Sequence, residues 1–123
     1  MIKYMSFQFF EIPWKILSKL LESLYNNVFS DEYKIYFNAE SYANKGYVVV
    51  AVIKNPDPHK PGHTALVTPA TITDSLLAES GPRLIMAGKE NSNYISLKAG
   101  FKRHLTTWPE HDIEFYYFKD RVF

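Results

Sequence analysis

His63 is the residue of this chain best suited to moving a proton. It sits in Lys60-Pro61-Gly62-His63-Thr64-Ala65-Leu66-Val67-Thr68-Pro69, where a proline-flanked loop turns through glycine and runs into an apolar stretch closed by a second proline. An imidazole titrates near neutrality, and at the mouth of a strand it is held on a stiff element, where a general base is best placed. The competing reading of the same residues is a packed or hydrogen-bonded histidine that does no chemistry. His59 lies four residues earlier, but Pro61 stands between the two, so they share no helical face. No third His, Cys or carboxylate stands at a metal-ligand spacing from them, so no metal site is expected.

Other chemistries find less support. The chain has no cysteine, hence no thiol nucleophile, no disulfide and no thiolate metal site. No Gly-x-Ser-x-Gly elbow occurs, and Ser6, Ser75 and Ser80 have no local sign of activation. Glu79, Glu90, Glu110 and Asp112 form no pair distinguishable from solvated loop charge. Glycine-rich phosphate cradles are absent, and no cofactor is implied. The formal net charge is +1, with acids and bases interspersed, which gives no field for nucleic acid or an anionic membrane. No apolar run reaches the length of a membrane span. Gln8, Glu11 and Lys15 interrupt any signal-peptide core, so a cytoplasmic location is expected unless a secretion system delivers the protein.

The elements that must position His63 can be read in order. At 123 residues the chain suits one domain with one core. Pro13 opens a helix in which Ile16, Leu17, Leu20, Leu21 and Leu24 recur at helical spacing, ended by Asn26-Asn27. Ser30 caps a second helix, with acids in its first turn and Gly46 as its left-handed stop. Tyr47–Ile53 is continuous, apolar and β-branched, the mark of a strand buried on both faces. It pairs antiparallel with His63–Thr68 across a loop stiffened by Pro56, Pro58 and Pro61. Thr71–Ser80 reads as a loop or short helical turn. Arg83–Ala87, Tyr94–Leu97 and Asp112–Phe118 complete the strands. Helices first and strands afterwards predict an α+β fold: an antiparallel sheet of four or five strands with two N-terminal helices.

A linear series from Tyr42 onward carries a resemblance. Tyr42-Ala43-Asn44-Lys45-Gly46-Tyr47-Val48-Val49-Val50-Ala51 is followed by Gly62-His63-Thr64-Ala65-Leu66-Val67. Gly81–Gly88, Ala99-Gly100-Phe101, a Trp108 segment and the aromatic strand Ile113–Phe118 come next. This series resembles the papain-like NlpC-type cysteine peptidases and amidases of bacterial cell walls. It is most similar to the type VI secretion effectors that cut peptidoglycan stem peptides. The resemblance implies that His63 matches the family's general base, which takes a proton from a cysteine carried on a preceding helix. The orienting position falls at about Met86, an apolar residue, with Asn91 or Asn93 as the polar groups able to replace it. The groove would be bordered by Pro56–Gly62, which carries His59, and by Glu90–Tyr94, which carries Asn91, Asn93 and Tyr94.

The nucleophile is the departure from that pattern. The resemblance places the cysteine helix upstream of Trp14–Tyr25, so the chain is expected to be a truncated or degenerate amidase or endopeptidase, inactive alone. The partners so implied are a peptidoglycan peptide and an immunity or complementing protein. A non-catalytic muropeptide- or protein-binding module is the other expectation.

Overall fold

The computed structural model describes residues 13–28, 34–53, 59, 62–86, 92–102 and 113–120. The Pro56–Gly62 loop apart from His59 and Gly62, the Ser30 cap, Ser6, Asn91, His104, Trp108 and His111 lie outside the described residues.

Helix α1 spans Trp14–Leu24 and β1 follows directly as Tyr25–Asn27. Then come α2 (Lys34–Asn44), β2 (Val49–Ile53), β3 (His63–Val67), α3 (Asp74–Ser80), β4 (Arg83–Met86), β5 (Ser92–Ser96), α4 (Leu97–Gly100) and β6 (Ile113–Phe118). The six strands form one antiparallel sheet in the order β1-β6-β2-β3-β4-β5. The α+β class and the antiparallel sheet agree with expectation, and so does the central hairpin, whose register sets Ile53 opposite His63 and Val49 opposite Val67.

The expectation of four or five strands is corrected to six among the described residues. The added strand is β1, which at three residues is too short for an alternating pattern to register. Asn26-Asn27 does not close α1. The helix ends at Leu24, Tyr25 turns to extended backbone (φ −121°, ψ 154°), and the asparagines pair with Tyr117 and Tyr116 of β6. Thr71–Ser80 contains a true helix. The Thr73 side chain accepts the Leu76 N–H at 3.3 Å, which is an ordinary N-cap.

Strand alternation explains why β2 is apolar throughout: its two faces serve two separate layers. Val48, Val50, Val52 and Leu66 pack beneath Leu17 and Leu21 of α1. On the other face Val49, Ala51, Ala65, Val67, Leu84 and Phe115 pack with residues of α2, α3 and α4. The α1 stripe is narrower than its spacing suggests. Leu17 and Leu21 are buried, whereas Ile16 and Leu24 are 54% and 48% exposed, because only one edge of the helix meets the sheet.

Candidate functional site

His63 opens β3 at one end of the sheet, and its place in the strand alternation puts the ring on the α2 side. The ring stands edge-to-face on Phe101, with centroids 4.6 Å apart and planes at 67°, a favourable geometry for an aromatic pair. The residue as a whole is partly exposed, while Nε2 itself is covered.

Phe101 reaches that position through a short chain of local causes. Pro82 O accepts the Leu97 N–H at 2.9 Å, which ties the start of α4 to the chain before β4. The Ser96 hydroxyl caps α4 by accepting the Ala99 N–H at 3.2 Å. Gly100 then lets the helix settle on the sheet: a Cβ there would lie 2.6 Å from Met86 Sδ and 3.3 Å from Ile95 Cγ2. Phe101 follows with no exposed surface and presents its ring to the imidazole. Met86 is thereby a packing residue, buried on the α2 side.

The other expected site residues scatter. His59 is an exposed turn residue. Asn93 belongs to β5, which starts at the same end of the sheet as His63. Tyr94 neighbours Ile95, and Ile95 faces the α2 side with Leu84, so Tyr94 points to the α1 side, away from His63. It is 58% exposed, and the Arg83 guanidinium lies 5.6 Å from its ring centroid. The structure therefore does not bring Tyr94 and His63 onto one face.

Two concave regions stand apart from the histidine. One of about 360 Å³ lies at the far end of β3, among Gly46, Tyr47, Val48, Thr68, Pro69 and Ile85. It is about 13 Å from His63 at the usual strand rise. Another of about 420 Å³ lies between α2 and α3, lined by Lys34, Phe37, Asn38, Asp74, Leu77 and Ala78. Among the described residues, no three His, Cys, Asp or Glu side chains are grouped as a metal would require, and no helix is long and apolar enough to cross a membrane.

Two buried polar groups escaped the reading by sequence. Glu40 of α2 is 6% exposed and its Oε2 has no hydrogen-bond partner among the described residues. Burial foremost, then the charge of Asp74, raises its carboxyl above the ordinary range, while Arg83 opposes them. Thr64, next to His63, is 3% exposed, and its Oγ1 has no hydrogen-bond partner among the described residues. A third feature is a tyrosine cluster of Tyr42, Tyr47 and Tyr117. Phe101 was visible only as part of Ala99-Gly100-Phe101, with nothing in the spacing to join it to His63.

The chain matches no model of a known protein family and no curated protein.

Proposed function

We propose that this chain is an NlpC-type, papain-like domain shaped around amide bonds of peptidoglycan stem peptides, with His63 in the position of the general base. The observation that carries the reading is His63 itself: a residue only partly covered at the mouth of a central strand, with Nε2 on the covered side and its ring plane set by a fully buried Phe101. A base held on a strand end by packing keeps its orientation without help from a mobile loop. Support also comes from the ordered series of segments that resembles the family.

In the proposed chemistry the imidazole accepts a thiol proton, the thiolate attacks the amide carbon, and the imidazolium returns the proton to the leaving amine. The chain has no cysteine, so it supplies the proton acceptor and not the attacking atom. The isolated chain accordingly binds stem peptide and does not cut it. Hydrolysis requires a thiol from a second polypeptide.

Soluble stem-peptide fragments test this with two readouts, calorimetric titration for binding and amine release for cleavage. Saturable binding without new amine, weakened in His63→Ala, is the expected result. Cleavage by the chain alone that disappears in His63→Ala would point to a hydroxyl nucleophile and overturn the proposed division of labour. Absence of any binding would remove the stem peptide as ligand.

The same fold admits a reading as a protein-binding module, favoured by one observation. Exposed Tyr94 and partly buried Arg83 form an aromatic–cation pair on the face away from His63, a residue combination common at protein contact sites. Binding of a partner protein that is lost in Tyr94→Ala and unaffected by His63→Ala would support it.

A further inference from the structure

The tyrosine cluster has no part in the chemistry of His63. Tyr42 near the end of α2 and Tyr117 of β6 stack with ring centroids 4.0 Å apart and planes within 12° of parallel. Tyr47 stands edge-on to both, at 5.6 and 5.2 Å. Aromatic pairs in proteins usually sit farther apart, offset or edge-to-face, and the other ring pairs described here follow that rule: Tyr25 with Phe118, Tyr36 with Phe115 and His63 with Phe101 are all T-shaped. Among the described residues, only this cluster brings tyrosine rings against each other.

We propose that Tyr42 and Tyr117 are an oxidative cross-linking site, coupling to a dityrosine that ties α2 to β6. The oxidant is a one-electron oxidant of the haem-peroxidase class using hydrogen peroxide. Each phenol gives up one electron and its hydroxyl proton, and the peroxide is reduced to two waters. The unpaired electron of a phenoxyl ring occupies a π orbital with large amplitude at the carbons beside the oxygen. Two nearly parallel rings with centroids 4.0 Å apart bring together the π faces that carry those lobes, and the two unpaired electrons pair as a new carbon–carbon bond. The two displaced ring hydrogens then return to the oxygens, restoring both phenols with a net loss of two hydrogen atoms.

Edge-on Tyr47 lacks that overlap with either ring, so it does not compete for the coupling. Both stacked residues are only partly buried, which leaves room for the rings to relax after the bond forms. The chain also has no cysteine to intercept the radicals as a thiol would.

The test is oxidation of the full chain, dilute, with a haem peroxidase and hydrogen peroxide, followed by mass spectrometry and trypsin digestion. The expected product is a monomer lighter by two hydrogens. Its digest joins the peptide Ile35–Lys45 to the peptide His104–Lys119 and carries dityrosine fluorescence. Tyr42→Phe and Tyr117→Phe, each nearly isosteric and checked for folding by circular dichroism, should each reduce that joined peptide to background. Tyr36→Phe and Tyr116→Phe should leave it in place. A joined peptide of undiminished yield in Tyr42→Phe or Tyr117→Phe would overturn the proposal, as would covalent dimers with no intrachain product.

Discussion

Replacing Glu40 by glutamine probes a side chain whose burial conflicts with its charge. Glu40 is 6% exposed and Oε2 has no hydrogen-bond partner among the described residues. Burial, and after it Asp74, shifts the carboxyl upward from its ordinary 4.5, with Arg83 pulling the other way. A group whose folded value is raised binds its proton more tightly in the fold than in the unfolded chain. Its contribution to stability is therefore complete below the unfolded value and is lost as pH rises through the folded one. Ionising the carboxyl where it lies buried carries a burden of about 1–3 kcal/mol, that of an unsatisfied buried acceptor.

Glutamine keeps the shape and cannot ionise. Any cost of its own amide is present at every pH and cancels in a comparison between two pH values. The stability difference between Glu40→Gln and the parent should thus move in favour of the variant between about pH 4 and about pH 7, by no more than that burden. Each kcal/mol of that change is about 4 °C in melting temperature for a domain of this size. Urea unfolding followed by circular dichroism at both pH values reads it directly. Asp74→Asn should shrink the gain and Arg83→Met should enlarge it, because their charges act on the carboxyl in opposite senses. A stability difference that does not change with pH would refute the reasoning.

Three further outcomes follow from particular contacts. Thr64→Val removes a buried hydroxyl that has no partner among the described residues, so it should leave stability unchanged or raise it by about 1 kcal/mol, read from the urea midpoint. Gly100→Ala puts a methyl 2.6 Å from Met86 Sδ; overpacking of this kind costs about 1–3 kcal/mol, and chemical-shift changes should extend to the His63 ring through Phe101. Asn44→Ala deletes two 2.9 Å hydrogen bonds that clasp Ala70 by both its backbone groups. It should cost about 1–2 kcal/mol by the same denaturation assay, because water replaces part of what is lost at an exposed site.

How much of this was legible in the sequence depended on the range of the interaction. The hairpin of β2 and β3 was readable because Tyr47–Ile53 is unbroken and β-branched, and strands of that composition need cover on both faces. Gly46 was readable as the left-handed stop of α2, and its φ is 95°. Helix α3 was harder, since Leu77 is its fully buried residue and one apolar anchor makes no periodic stripe. Strand β1 owes its existence to a neighbour from the far end of the chain, β6, which no local pattern announces. The candidate site divides in the same way. His63 stood out through Gly62 before it and the apolar strand after it. Phe101, which sets its ring, comes from a distant segment whose approach depends on the missing side chain of Gly100. Glu40 stands at helical spacing with Tyr36 and Ala43, which are buried beside it on α2, but a carboxylate does not announce its own burial.

The most direct test of the role given to His63 is its imidazole signal in a nuclear magnetic resonance titration with soluble peptidoglycan stem peptide. A saturable shift of that signal with no release of amine is the predicted result. An imidazole signal that stays fixed while the peptide binds elsewhere, or a peptide that is cleaved by the chain alone, would contradict it.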